Sequence, residues 1–315
     1  MRKRILVATE GGAGSLGALR IAEALATRDG MDVEVLAVVE PALGYGPPVS
    51  GAVPGHYDIE ETVAQRVRDT VRAQLRELGG DAAGWEAVVR IGSVAPTIAR
   101  EAEARDASLI VLGRRVHEGL GRFLGRETAL DVVRLAGAPV LAVPPEGGDL
   151  PASALVAMDF SEASRDSARA ALELLPASGV VHLAHVSWSI PGDRVRDGGE
   201  WAATYDDGAR TRLDEMRREL ETPGRARVQT HLLHGEASPR LLALAEREGV
   251  GLVVLGSHGN GFFSRAVLGS VATRVFRGAP CAVLLRPPRT ASGVLSREDV
   301  EEELHLTGRV LVGGA

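Results

Sequence analysis

One cysteine is all the chain has, and aromatic residues make up only 3% of its 315 residues. Cys281 therefore has no partner for an internal disulfide. Its place at the head of the apolar run Cys281-Ala-Val-Leu-Leu285 reads as a buried, inert thiol in a reducing compartment. There is no excess of basic charge either: Lys and Arg number 36 against 42 Asp and Glu, a formal net charge of −6. A protein that lived by binding polyanions would carry a basic face and often stacking aromatics, so nucleic acid is not expected as a partner. No apolar run approaches the roughly 20 residues of a membrane span. Met1-Arg-Lys-Arg leads straight into a strand-like segment rather than a signal peptide. These absences predict a cytoplasmic protein with no membrane partner. What is present is a globular composition, 45% hydrophobic and 25% charged, over a length that suits about two domains of roughly 100 to 200 residues each.

The chain repeats itself. Sliding it by 143 residues brings Gly92 onto Gly235, Pro96 onto Pro239, Gly113 onto Gly256, Arg122 onto Arg265 and Val140-Leu141 onto Val283-Leu284, without a gap. Nearer the start of each half the offset becomes 149, which matches Leu6-Val7-Ala8-Thr9-Glu10 with Leu155-Val156-Ala157-Met158-Asp159 and Ser15 with Ser164. The joint, Pro144-Pro145-Glu146-Gly147-Gly148-Asp149-Leu150-Pro151, cannot continue a helix or a strand. The expected division is a first domain at 1–148, a second at 149–290 and a tail at 291–315. Within each half, apolar strands alternate with amphipathic helices. In the second half the pattern predicts strands over 154–158, 180–187, 227–233, 251–255 and 281–286, with helices over 164–175, 205–221, 238–248 and 270–277. Such alternation implies right-handed crossovers and two tandem α/β domains, each a doubly wound, five-stranded parallel sheet flanked by helices. Ligands of these sheets sit outside the carboxyl ends of the strands, where Asp159 and Gly256 fall.

The richest stretch is Gly256-Ser-His-Gly259-Asn-Gly-Phe-Phe-Ser-Arg-Ala-Val-Leu-Gly269-Ser270, between the buried-strand run Leu252–Leu255 and a helical pattern that resumes at Val271. Gly256 and Gly259 let backbone N–H groups approach an anion with no Cβ in the way. Ser270 is placed to cap the helix and donate to phosphate, and the helix N-terminus adds partial positive charge. No Lys follows Gly269, so this is not a Walker loop.

The spacing Gly, two residues, Gly, nine residues, Gly-Ser, with the opening Val156-Ala-Met-Asp159-Phe-Ser161-Glu-Ala-Ser164, resembles the universal stress protein family, with two such domains in tandem over about 290 of the 315 residues. The resemblance implies an adenine nucleotide alpha hydrolase-like fold that binds ATP, or ADP or AMP, with Mg2+ as a possible companion, in a stress-response role. It implies that Gly256, Gly259, Gly269 and Ser270 hold the phosphates, with backbone contacts from Leu255 and Val271. Asp159 would bond the ribose, with Ala157 and Val186 lining the adenine pocket. It also implies pairing of domains through their last strands, here Val140–Val143 and Ala282–Leu285, as an intramolecular pseudo-dimer that leaves room for a homodimer. The first half departs from the pattern at three of the four phosphate positions. Gly113 survives, but Val116, Arg126 and Glu127 stand where Gly259, Gly269 and Ser270 stand. Val116 is β-branched and resists positive φ, and Glu127 sets negative charge where the anion would lie. With one gap allowed Gly125 matches Gly269, yet Val116 and Arg126 remain. Glu10 for Asp159 is the milder change. The expectation is a nucleotide site in the second half only.

Plainer readings stand beside these. A glycine-rich turn after a strand is often only a tight connection, and here the complete spacing and the repeat favour the nucleotide. Arg265 has its counterpart Arg122 in the half whose site is broken, which favours a structural role over phosphate contact. His258 either donates to phosphate or faces water. His182 with His185, and His231 with His234, have the look of metal ligands, but residues three apart on a strand point to opposite faces, so no metal site is expected. Ser257-His258 lacks the geometry of a triad, and no catalytic residue is assigned. Glu301-Glu302-Glu303 reads as a solvated helix face. The long loops over 41–60 and 187–205, with Tyr45, Trp188, Trp201 and Tyr205, either cover a ligand, contact a partner or are variable surface. Function is therefore expected to be nucleotide binding with a regulatory or sensing role. A slow ATP hydrolase and a nucleotide-independent interaction module are the alternatives.

Overall fold

The computed structural model describes residues 3–40, 56–114, 124–187, 198–256 and 268–287. They fall into two compact units, one running to Asp149 and the other starting at Leu150. The first unit alternates β1 (Arg4–Ala8), α1 (Leu16–Asp29), β2 (Asp32–Val39), α2 (His56–Leu78), β3 (Ala87–Ile91), α3 (Val94–Ala104), β4 (Leu109–Gly113), α4 (Leu124–Leu135) and β5 (Val140–Val143). The second repeats the order with β6 (Ser153–Ala157), α5 (Glu162–Leu174), β7 (Val180–Ser187), α6 (Gly198–Leu220), β8 (Arg227–His234), α7 (Ala237–Arg247), β9 (Leu252–Gly256), α8 (Ser270–Gly278) and β10 (Ala282–Arg286).

Each unit is a parallel five-stranded sheet, ordered β3-β2-β1-β4-β5 in the first and β8-β7-β6-β9-β10 in the second. The chain leaves β6 for β7 and β8 on one side, then returns to β9 and β10 on the other. Right-handed crossovers therefore place α5 and α6 on one face and α7 and α8 on the opposite face. Covered on both sides, the central strands read as unbroken apolar runs. Leu155 and Val156, Leu252 to Leu255 and Val283 to Leu285 are all buried, and α8 adds Val275 and a fully buried Phe276.

Two boundaries differ from those read off the sequence. Helix α6 begins at Gly198, not near 205, so Tyr205 lies inside a helix rather than in a connecting loop. Helix α2 likewise begins at His56, inside the stretch expected as loop. Gly198 and Gly199 are poor helix formers, but they occupy the first turn of α6, where N–H groups need no intrahelical partner. The 23-residue helix then continues through the buried residues Ala209, Leu213, Met216 and Leu220.

Candidate functional site

Because β6 lies between β7 and β9, the chain reverses direction across the sheet at β6, and the loops after β6 and β9 open side by side at the carboxyl edge. Ala157 ends β6 opposite Ala184 of β7. The backbone N–H of Met158 still donates to the Ala184 carbonyl at 2.8 Å before the chain turns at Asp159. The Asp159 carboxylate is held from its downstream side: Oδ1 accepts from the Ser161 backbone N–H at 3.0 Å and the Ser161 hydroxyl at 2.5 Å. Ser161 is also the N-cap of α5, its hydroxyl accepting from the Ser164 N–H at 3.2 Å. The helix start and the carboxylate thus share one hydroxyl.

Between them Phe160 adopts φ +65°, a left-handed conformation that a bulky side chain rarely takes. Its ring packs against His185 with centroids 4.5 Å apart, and the Arg212 guanidinium lies over it at 5.5 Å. His185 is 7% exposed and spans two elements. Nδ1 lies 2.7 Å from the Met158 carbonyl and Nε2 lies 3.2 Å from the Tyr205 hydroxyl of α6. A carbonyl only accepts, so Nδ1 carries the proton, and in the neutral ring Nε2 accepts from Tyr205. Val186, the next residue on β7, faces the other side of the sheet by strand alternation and is half-buried at the carboxyl end.

Leu255 is buried and Gly256 closes β9 opposite Arg286. Gly269 has φ −55° and ψ 145°, which makes it the N-cap of α8; Ser270 is the first helical residue and Val271 the second, both exposed. This corrects the capping role expected of Ser270. A cap needs the extended backbone that Gly269 has, and among the described residues no side chain caps this helix. Gly259 lies outside the described residues, as do His258, Arg265, Val116, Arg122, Tyr45, Trp188 and the tail from 291, and nothing is described of the Trp201 side chain. The sequence reading thus brings Ala157, Asp159, Val186, Leu255, Gly256, Gly269, Ser270 and Val271 to one edge of one sheet. It missed Phe160 and His185. The available signal for His185 was a polar side chain two residues before the carboxyl end of a strand, β7, that neighbours β6.

Residues three apart on β7 and β8 do point to opposite faces. His185 and His234 face α6, where His234 Nε2 donates to Asp206 at 2.7 Å and holds that carboxyl below its ordinary value, with a further bond from Ser187. His182 and His231 face α7 and meet each other across strands, Nδ1 to Nε2 at 3.0 Å. Burial pushes both imidazoles below their ordinary pKa, against the pull of Glu248 at the end of α7. Among the described residues no three His, Cys, Asp or Glu side chains converge as a metal site.

The corresponding edge of the first half is built differently. Thr9 takes the place of Met158, its N–H donating to Leu36 at 2.9 Å, and Gly11, at φ +77°, takes the place of Phe160. Thr9 Oγ1 bonds Ser15 at 2.7 Å, Gln74 of α2 at 3.3 Å and the Gly11 N–H at 3.0 Å. Gln74 also donates to the Gly12 carbonyl at 2.9 Å. Across the edge, a Cβ on Gly113 would lie 2.3 Å from the Gly14 carbonyl oxygen, so the end of β4 is closed against this loop. Glu10 is exposed. Helix α4 starts at Leu124, so residues 125–127 are already helical where Gly269 still caps.

Comparison with known proteins gives a consistent picture. The profile of the Universal stress protein family matches residues 1–144 and again 153–287. A universal stress protein of Mycolicibacterium smegmatis is 28% identical over 295 residues, covering 90% of this chain and 97% of its own length. The crystal structure of a universal stress protein from Archaeoglobus fulgidus aligns with a TM-score of 0.58 at 21% identity, over 91% of this chain and 98% of that one. A further universal stress protein, crystallised in complex with cAMP, aligns over 44% of this chain and 98% of its own at 20% identity and a TM-score of 0.32.

Proposed function

Since the chain belongs to the universal stress protein family as two domains in tandem, we propose that its second half binds ATP or a related adenine nucleotide and that this binding is its regulatory or sensing function. The observation that carries the reading is Asp159, a carboxylate fixed through Oδ1 by Ser161 at the strand-order reversal, beside the Gly256 strand end and the start of α8. A fixed carboxylate accepts from ribose hydroxyls as a charge-assisted hydrogen bond. Ala157 and Val186 offer apolar strand ends to a flat base. Gly256, Gly259, Gly269 and the Ser270 hydroxyl hold the phosphates, with backbone contacts from Leu255 and Val271, aided by the positive end of α8. A Mg2+ ion would ride on the phosphates with its own waters rather than in a protein cage. No described residue is positioned as a general base on an attacking water, so binding rather than turnover is the proposed activity.

Calorimetric titration of nucleotide-stripped protein with ATP and Mg2+ tests this. About one ATP per chain is expected. Asp159→Ala weakens it by roughly tenfold to a hundredfold through loss of charge-assisted bonds. Ser270→Glu abolishes it by setting charge against the phosphates, and Glu10→Ala leaves it unchanged. A parent that binds no adenine nucleotide moves the function to the interaction module; two equivalents per chain would show that the first half is a site as well.

A further inference from the structure

The geometry points to His185 as the positioning residue for ribose recognition, a role that rests on the nucleotide reading of the same site. Asp159 is flanked by two restraints. Downstream, Ser161 grips its carboxylate. Upstream, the carbonyl of Met158, the residue bonded to Asp159 through the peptide link, receives the Nδ1–H of His185 at 2.7 Å. The imidazole is itself held, by the Tyr205 hydroxyl on Nε2 and by Phe160 against its face. Phe160 stays left-handed while packed on that ring. A side chain that fixes the peptide before Asp159 and the residue after it fixes the direction in which the carboxylate looks. The described part of the first half has nothing equivalent. There the loop is tied by Thr9, Ser15 and Gln74, a glycine makes the turn, and Ala37 occupies the register of His185.

His185 touches no proposed ligand atom, so its effect is confined to the part of the nucleotide that Asp159 reads. The experiment compares ATP with 2′,3′-dideoxy-ATP, which lacks both ribose hydroxyls, by calorimetry on the full chain and its variants, each checked by thermal melting. The parent prefers ATP. His185→Ala weakens ATP by roughly tenfold, as loss of an orienting hydrogen bond would, and leaves the dideoxy nucleotide nearly unchanged, so the preference collapses. His185→Asn, whose amide N–H sits where Nδ1–H sits, restores the preference; His185→Gln, which reaches toward Tyr205 instead, does not. Equal weakening of both nucleotides, a preference that survives in His185→Ala and His185→Gln, or a parent that binds ATP without preferring it each overturns the inference while leaving nucleotide binding intact. A parent that binds neither nucleotide overturns the nucleotide reading and this inference with it.

Discussion

After its first strand each half of the chain turns the same corner, Gly11 at φ +77° in one and Phe160 at φ +65° in the other, but the two corners are held by different chemistry. In the first half Thr9, Ser15 and Gln74 bond one another and the loop backbone, all three nearly buried. In the second, Met158 and Met216 take the places of Thr9 and Gln74, Gln74 and Met216 each being the nineteenth residue of its 23-residue helix. Ser164, the counterpart of Ser15, stays buried and bonds Ser161, while the turn is held by Ser161 on the Asp159 carboxylate and by the buried His185 on the Met158 carbonyl. A loop whose hydrogen bonds close on themselves is complete without a ligand. The second-half loop instead holds a carboxylate at the strand end and carries a left-handed Phe, at a cost of order 1 kcal/mol. The two halves share one strand order, and the divergence lies in which side chains hold the turn.

Exchanging these side chains gives the largest expected effect. Met216→Gln buries an amide at a position only 2% exposed and costs about 2 to 3 kcal/mol in urea unfolding, the penalty of an unpaired polar group. Adding Met158→Thr supplies the partner that Gln74 has in the first half and recovers part of the loss. A cost below about 0.5 kcal/mol for Met216→Gln would mean that the two sets of side chains are interchangeable, and the contrast between the halves would fail.

A smaller difference lies at the amino-terminal part of the sheets. In the first half Glu34 bonds Arg105, which also bonds Glu101, and Arg90 reaches Glu101 at 2.9 Å. In the second, His182 occupies the register of Glu34 and contacts His231, with Glu248 nearby at the end of α7. Burial raises the Glu101 carboxyl, but hydrogen bonds from Arg90 and Arg105 outweigh it and hold the group below the ordinary glutamate value of 4.5. Its contribution is present above that pH and lost as pH falls through the lowered folded value. The two imidazoles are lowered from 6.5, chiefly by burial. Above 6.5 their contribution is complete; below it the unfolded chain takes up protons that the folded chain refuses, and stability falls. Between 4.5 and 6.5, then, the β7–β8 pair weakens while the β2–β3 pair holds. Hydrogen exchange, corrected for its intrinsic pH dependence, should show faster opening of β7 and β8 peptides at pH 5.5 than at 7.5. In His182→Gln/His231→Gln that difference should shrink; if the double variant keeps the full acid sensitivity, the histidine pair is not its source.

The frame was legible because periodicity carries it. Continuous apolar strands, amphipathic helices and the repeat fixed the class, the strand alternation and the edge at which Asp159 and Gly256 meet. What escaped depended on contacts between elements that no local pattern announces. His182 and His231 are 49 residues apart and meet only when β7 and β8 are paired in their particular register. Tyr205 stands where the expected loop 187–205 meets the expected helix 205–221, and its bond to His185 depends on a helix that begins well before it, at Gly198. The role of Gly269 as cap was hidden behind Ser270, whose residue type fits a cap better than its backbone does.

The corner itself offers the smallest and most discriminating change. Phe160→Gly gives the second half the residue the first half uses at this turn. Removing the left-handed strain is worth up to about 1 kcal/mol, and losing the ring contact with His185 costs a comparable amount, so stability should move by less than about 1 kcal/mol either way. Nucleotide affinity should move more than stability does, because glycine frees the peptides on either side of the conformation that aims Asp159, and the site must then spend binding energy on ordering them. If instead Phe160→Gly binds ATP as tightly as the parent while melting at the same temperature, the strained turn has no part in recognition. The difference between Gly11 and Phe160 would then be one of packing alone.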